Sequence, residues 1–270
     1  MRERELRGPL PLILLAAVLV YAAVLLLAPM AAIVSSAFAG GVGKVINALL
    51  LPDVLLAFRM TFLLALGAML INTLAGTVLA WVLVRHNFPG KRLVDALVDA
   101  PFVFSPVIVG YALILMFGRE GWFAPTVVQI AFAWPAMLLA TVFVSLPFVT
   151  REIQPVLAEL TLEQENAAYT LGANRWTTFR RVVVPQIWHG LLYGMVLTFA
   201  RSVGEFGAVA VAGGAIERYT ETATIYVFRA MHDRNPIGAY SVSVALGVLS
   251  IGILVVMSLL RRRPSHTAAD

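Results

Sequence analysis

Two charged residues interrupt an otherwise apolar stretch in the last third of the chain. Arg201 and Glu205 lie within residues 190–212, a run long enough to cross a bilayer as one helix. A spacing of four residues places both side chains on one helix face, where they can form an ion pair. Each isolated ion at membrane depth would cost about 2.5–3.5 kcal/mol on insertion scales. We therefore expect the two charged side chains to be paired and not isolated.

The residues around this pair are small or can donate hydrogen bonds. Ser202, Gly204 and Gly207 could permit close helix approach and offer hydroxyl or backbone donors. Two interpretations of the pair follow. It is either a structural bridge that neutralises itself, or a place where positive charge is offered to a passing anion.

A second group of residues, between 161 and 185, predicts two short helices joined by a tight turn. Thr161 and Gln164 have the spacing of a capping box, Gly172 is a plausible C′ residue, and Asn174 can cap the second helix. Pro185 is expected to end this unit, because proline lacks the backbone donor that a continuing helix needs. We call residues 161–185 the coupling segment.

The first of these short helices carries small side chains at its centre, so its backbone can be approached closely there. Ala167 and Ala168 are small, and Tyr169 and Leu171 add apolar contact area nearby. Such a helix could insert into a cleft of another protein. Alternatively, it could lie on the membrane surface as an amphipathic helix beside basic residues.

Several kinds of catalytic site are missing from the sequence. Gly43-Lys44 is followed by Val45, so the phosphate-binding loop of ATPases is not present, and neither is an H-E-x-x-H zinc motif. The predicted spans contain one acidic residue, Glu205, and no partner acid, which disfavours a membrane enzyme. We expect a chain that binds no metal or cofactor and does not itself hydrolyse ATP.

The elements that must position these residues are membrane helices. Of the 270 residues, 60% are hydrophobic and 13% are charged, and the mean hydropathy is +0.87. A soluble domain would carry about 25% charged residues. The composition predicts an all-α integral membrane protein with six transmembrane helices. The predicted spans are 8–43, 60–84, 100–118, 121–150, 190–212 and 235–260.

The distribution of basic residues predicts the orientation of these helices. Thirteen Lys and Arg residues fall in the N-terminus, the loops 85–92 and 151–189, and the tail 261–270, against six in the opposite loops. The positive-inside rule then places both termini in the cytoplasm. The net charge of +5 is explained by topology, so we expect no nucleic-acid partner. The first apolar run is too long for a signal peptide, which favours an uncleaved first helix.

Motifs along the chain resemble one family of transport proteins. Asn166-Ala167-Ala168, Gly172 and the run 182–185 are similar to the E-A-A…G…I-x-L-P loop of bacterial ABC importer permeases. The segments 86–91, 99–107, 147–152 and 204–208 resemble the sulfate/thiosulfate ABC permeases, and particularly their W-type subunits. The resemblance covers approximately residues 55–262. It implies the type I ABC importer permease fold in a bacterial inner membrane.

The resemblance also implies roles for the residues singled out above. In that family the loop docks on a cytoplasmic ATPase, which assigns ATPase coupling to a set within the coupling segment. That set is Glu165, Asn166, Ala167, Ala168, Gly172 and Pro185. Asn166 departs from the pattern, because the family commonly has Glu there. The functional interpretation of the ion pair, which stays open beside the structural one, places a path for a tetrahedral dianion at Arg201, Ser202, Gly204, Glu205 and Gly207.

The implied assembly contains several further components. We expect a heterodimer with a second sulfate permease subunit, two ATPase subunits that use ATP and Mg, an extracytoplasmic sulfate-binding protein, and surrounding membrane lipids. Within the chain, residues 1–58 would hold the first helix and a periplasmic loop, 59–262 the transport core, and 263–270 a cytoplasmic tail. Two alternatives stay open: a molybdate or tungstate importer of the same class, and an ion-coupled secondary anion transporter.

Overall fold

The computed structural model describes residues 9–123, 130–160 and 162–261. The described residues are helical and contain no β-strand, which confirms the all-α prediction. Thr161, the three N-terminal arginines and the tail 263–270 lie outside these ranges. The helices are α1 Pro9–Phe38, α2 Val42–Leu49, α3 Pro52–Arg85, α4 Lys91–Val98, α5 Ala100–Val103, α6 Pro106–Phe117, α7 Trp134–Glu159, α8 Leu162–Thr170, α9 Arg175–Thr178, α10 Val184–Val203, α11 Gly207–Gly213, α12 Ala223–His232 and α13 Pro236–Arg261, with a π-helical turn at Phe179–Val183.

Five helical stretches among the described residues are long and apolar enough to cross a membrane. They are α1, α3, α7, the continuous helical stretch from α9 to the end of α10, and α13. The spans predicted at 8–43, 60–84 and 235–260 match α1, α3 and α13, although α3 begins eight residues earlier than expected, at Pro52. The other three predicted spans have different bounds.

The predicted span 100–118 is not one continuous helix, because the chain leaves helical geometry at Phe104 and Ser105. Both residues are extended, with ψ of 136° and 135°. Pro106 causes this break, since a proline disfavours helical geometry in the residue before it. The remaining helix α6 has 12 residues and is about 18 Å long. That length is shorter than the roughly 30 Å hydrocarbon core of a bilayer.

The predicted span 121–150 is shifted toward the C-terminus. Helix α7 begins at Trp134 and continues to Glu159, with Pro147 and Pro155 inside it. Residues 124–129 lie outside the described ranges. Because α7 extends past residue 150, the first nine residues of the predicted loop 151–189 belong to a helix. The segment between α7 and α10 is therefore shorter than expected.

Pro185 does not end the short-helix unit as predicted. It lies in the first turn of α10, directly after the π-helical turn, where the backbone hydrogen-bond pattern changes and a missing donor is tolerated. The π-helical turn Phe179–Val183 joins α9 to α10, so the chain stays helical through this region. At the other end, α10 stops at Val203 and a new helix starts at Gly207. The span predicted at 190–212 is thus two helices with a break at 204–206.

Contacts within the chain group it into two compact units. One comprises residues 1–51 and 227–247, and it includes α1, whose apolar side chains are exposed along most of the helix, as expected of a surface in contact with lipid. The other comprises residues 52–226 and 248–270 and contains the candidate site. Its core lies where α3, α7 and α10 pack together, around Ala80, Val149, Ile153 and Ile187.

Helices α6 and α11 pack side by side with very little space between them. A Cβ added to Gly110 would lie 2.7 Å from Cβ of Val211 and 2.9 Å from the carbonyl oxygen of Ala208. A Cβ on Gly207 would lie 3.1 Å from Val107. Since residue 207 faces 107 and residue 110 faces 211, the two helices are parallel and begin next to each other.

This close contact gives a stability prediction. Gly110→Ala should lower the free energy of unfolding by about 1–3 kcal/mol, because the new methyl group meets backbone that cannot turn aside. Thermal unfolding of the detergent-solubilised protein measures the effect. Gly247→Ala is the matched control, because a Cβ there meets no atom within 4 Å. Equal melting temperatures for the two variants would contradict the packing described here.

Candidate functional site

Arg201 and Glu205 form an ion pair at the break between α10 and α11. Arg201 Nη1 lies 2.5 Å from Glu205 Oε2. The two residues do not share one continuous helix, as the sequence suggested, because α10 ends before Glu205. The pair still forms because the backbone N–H of Glu205 donates to the carbonyl of Ser202 and keeps the chain in a turn.

The two members of the pair differ in exposure. The Glu205 side chain is 3% exposed, while the Arg201 side chain is 33% exposed. Glu205 Oε1 accepts from the backbone N–H of Ala208, and the Glu205 carbonyl accepts from the hydroxyl of Thr224. A carboxylate at the start of α11 is favourable, because unpaired N–H groups and the positive end of the helix dipole lie there. Glu205 is thus fixed inside the protein, and Arg201 is the charge that reaches accessible space.

The three small residues of the predicted path have different surroundings. Ser202 is buried, and its hydroxyl points into the core, 3.4 Å from that of Ser145. Gly204 is exposed and meets no neighbouring helix within 4 Å, so it marks the end of α10 and is not a packing contact. Gly207 packs directly on α6. Of these three, only Gly204 is exposed.

A buried polar cluster behind Arg201 was missed by the sequence reasoning. Asn72 donates to the Ser145 hydroxyl at 2.9 Å and to the Val142 carbonyl at 3.0 Å, and Ser145 donates to the Thr141 carbonyl at 2.6 Å. With Ser202, the cluster joins α3, α7 and α10. The signal in the sequence was an asparagine within an apolar span, since a polar side chain at membrane depth requires a partner.

Two helix breaks lie together next to Arg201. Residues 104–105 precede α6 and residues 204–206 precede α11, and α6 and α11 begin side by side. Phe104, Ser105 and Gly204 are exposed. Non-helical backbone at membrane depth is tolerated only against protein or in a water-filled cavity. The backbone at these two breaks is therefore suited to face protein or water and not lipid.

The coupling segment has the predicted order of helix, glycine turn and helix. Gly172 adopts φ +85°, and the N–H of Ala173 donates to the carbonyl of Ala168 across the turn. Asn174 Oδ1 accepts from the N–H of Thr177 and caps α9. Asn166 and Ala167 are exposed, and the side chain of Leu171 is 89% exposed. The segment therefore presents small and apolar groups on an accessible surface.

Glu165 is buried, in contrast to the exposed residues on either side of it in α8. It is 7% exposed, and its Oε1 accepts from Arg85 Nη2 at 2.8 Å. Arg85 is the last residue of α3, so the contact joins the coupling segment to the core. The side-chain amide of Gln186 also donates to that of Gln164, which links α8 to α10.

Arg151 connects α7 to the short helix α4. Its Nε and Nη2 donate to the two carboxylate oxygens of Asp99 at 2.8 and 2.6 Å, and Nη1 donates to Asp95 at 2.7 Å. Hydrogen bonding from Arg151 holds the pKa of Asp95 below its usual range. The stabilisation that Asp95 contributes is therefore present at neutral pH and is lost as the pH falls through that lowered value. Two of the sequence motifs, 99–107 and 147–152, meet at this cluster.

Comparison with known proteins identifies a family. The profile of the family described as "Binding-protein-dependent transport system inner membrane component" matches residues 72–265. The "Sulfate transport system permease protein CysW" of Synechococcus elongatus is 40% identical over 264 residues, which is 96% of this chain and 92% of that protein. The "Sulfate transport system permease protein CysT" of Synechocystis is 36% identical over 93% of this chain and 90% of that protein.

A solved structure has the same fold. A chain of the bacterial alginate ABC transporter, crystallised in complex with an alginate pentasaccharide-bound periplasmic protein, superimposes with a TM-score of 0.78. The superposition covers 99% of this chain and 100% of that chain, at 16% sequence identity. The chain therefore has the fold of that transporter chain.

Proposed function

Because the chain belongs to the family of binding-protein-dependent transport system inner membrane components, we propose that it is the permease subunit of an ATP-driven importer that moves sulfate into the cytoplasm. The chain is a multi-pass inner-membrane protein and a translocation subunit. The observation that supports sulfate as the substrate is the 40% identity to a sulfate permease along nearly the whole chain. Thiosulfate, a tetrahedral dianion of similar size, is the second candidate substrate.

The permease would work as one half of a heteromeric pore. The chain is similar to both CysW and CysT sulfate permeases, which supports pairing with a second related permease subunit. Two ATPase subunits would supply energy by hydrolysing ATP, with Mg as their cofactor. An extracytoplasmic binding protein would deliver the anion, as the family description indicates. Both termini and the coupling segment would lie in the cytoplasm.

Arg201 is the residue that we propose contacts the anion in transit. Its guanidinium is accessible beside two helix breaks, whose backbone is unsuited to contact with lipid. The buried carboxylate of Glu205 offsets its charge, so the site attracts a dianion without holding it tightly. Weak binding is required, because a transport path must release the ion as readily as it admits it. Selection between oxyanions would then rest mainly with the binding protein.

The exposed side of the coupling segment would dock on the ATPase. Asn166, Ala167 and Leu171 form its accessible surface, and Gly172 gives the turn that presents them. Closure of the ATPase pair would pull this segment and switch the pore between inward-facing and outward-facing states. Asn166, where the family commonly has Glu, would make this contact as a neutral amide.

Complementation tests the proposed function. In a strain that lacks its sulfate permeases, expression of this chain with its partner subunits should restore growth on sulfate and uptake of radiolabelled sulfate. Uptake should disappear when the ATPase subunit carries a defective nucleotide site. If only molybdate uptake is restored, the substrate is molybdate and not sulfate. If uptake needs only an ion gradient, the chain is not part of an ABC importer.

A further inference from the structure

The ion pair between Arg85 and Glu165 joins two helix ends that are far apart in sequence. Arg85 is in the last turn of the 34-residue helix α3, and Glu165 is in the first turn of α8. A cation is favourable at a helix C-terminus and an anion at a helix N-terminus, so each charge suits its own helix. The pair therefore links the two helices end to end through groups that both helices stabilise.

This link is buried and reinforced. The side chains of Arg85 and Glu165 are 12% and 9% exposed. Arg85 Nη1 also donates to the carbonyl of Leu160, just after α7 ends, and its guanidinium lies 5.8 Å from the ring of Trp81. A buried pair of this kind responds strongly to loss of one partner, because the other charge is left without compensation.

A cavity borders the buried pair on one side. A cavity of about 590 Å³ lies between the end of α3 and the coupling segment. It is lined by Trp81, Tyr169, Trp176 and Phe179 in addition to the ion pair. Phe179 of the π-helical turn packs directly on Trp81 of α3, with 5.6 Å between the ring centroids. Helix α8 itself, across the cavity, contacts α3 through the polar pair of Glu165 and Arg85.

We propose that the Arg85–Glu165 pair is the tether through which movement of α8 is transmitted to α3, with Glu165 acting as a positioning residue on the buried side of α8. This inference rests on the proposed function. The role of Glu165 then differs from the expected one: Glu165 transmits movement of α8 to α3 and does not contact the ATPase. Helix α3 also holds Asn72, so a displacement of α3 reaches the polar cluster beside Ser202.

Single substitutions in the complete reconstituted complex give the first test. Glu165→Ala and Arg85→Ala should keep ATPase subunits bound and basal ATP hydrolysis intact. Stimulation of hydrolysis by the sulfate-loaded binding protein, and sulfate uptake, should fall on the order of tenfold, which is a typical size for coupling between sites. Glu165→Gln, which still accepts one hydrogen bond from Arg85, should keep part of the stimulation. Glu159→Gln is the control, because Glu159 is an exposed glutamate nearby.

A second test, which does not depend on the alanine variants folding well, replaces the ion pair by a chemical cross-link. The chain has no cysteine, so Arg85→Cys combined with Glu165→Cys introduces the only two thiols. Before cross-linking, binding-protein stimulation should be low. A bifunctional thiol reagent that spans the former ion pair should restore it in the same folded sample, which a purely structural role would not do.

Two results would contradict the proposal that Arg85 and Glu165 form a tether. Both can be distinguished from a failure of the proposed function. Wild-type stimulation in Glu165→Ala, or equal stimulation before and after cross-linking, would reject the tether while the wild-type complex still imports sulfate. A wild-type complex with no ATPase stimulation and no uptake would instead overturn the proposed function, and the tether with it.

Discussion

Replacing Arg201 with alanine is expected to abolish sulfate uptake while the ATPase subunits remain bound. The substitution removes the accessible positive charge beside the helix breaks at 104–105 and 204–206. A tenfold loss needs only about 1.4 kcal/mol, and removal of a cation from a low-dielectric anion path exceeds that. Uptake into cells or proteoliposomes measures transport, and copurification of the ATPase measures docking.

The control for this prediction separates transport from folding. Arg201→Ala leaves the buried Glu205 carboxylate without its partner, which costs a few kcal/mol of stability. The double variant Arg201→Ala with Glu205→Gln removes both charges and should recover the melting temperature, yet it should still fail to transport. Uptake at the wild-type rate in the double variant would show that the pair is only a structural bridge.

The second large effect is expected at Gly172. Its φ of +85° lies in the left-handed region, and a Cβ there would meet no atom within 4 Å. Gly172→Val should therefore act through backbone strain alone, about 1–3 kcal/mol, and open the turn between α8 and α9. We expect loss of ATPase association and of uptake, with normal amounts of protein in the membrane.

Asparagine at the same position provides the matched comparison. Asn tolerates the left-handed region far better than a β-branched residue, so Gly172→Asn should keep most of the activity. Immunoblots of membranes, ATPase copurification and uptake would be measured for both variants. If Gly172→Val assembles and transports like the wild type, the geometry of this turn does not matter for docking.

The sequence predicted those features that depend on composition and local spacing. The long apolar runs of α1, α3 and α13 are recognisable from hydropathy, and the short helices around Gly172 from capping residues. Arg201 and Glu205 were identified because charges are rare in apolar segments. The family itself was indicated by the spacing of Ala167, Ala168 and Gly172.

Features that depend on tertiary contacts could not be predicted in the same way. Hydropathy averaged along a span does not register a break such as 104–105, where Pro101 and Pro106 were the local signals of an irregular helix. Glu165 was assigned to the ATPase face, but nothing local in the sequence shows that Arg85, 80 residues earlier, lies beside it. The polar cluster at Asn72 and the hydrogen bonds of Arg151 to Asp95 and Asp99 likewise depend on residues that are distant in the sequence.

The most direct test of the account is sulfate transport by the purified complex. The permease, its partner subunit, the ATPase and the binding protein would be reconstituted in proteoliposomes, and radiolabelled sulfate accumulation would be followed with and without ATP. We predict accumulation that requires ATP and the binding protein, is lost in Arg201→Ala with Glu205→Gln, and is insensitive to dissipation of ion gradients. Accumulation without ATP, or ATP hydrolysis with no sulfate accumulation, would contradict the account.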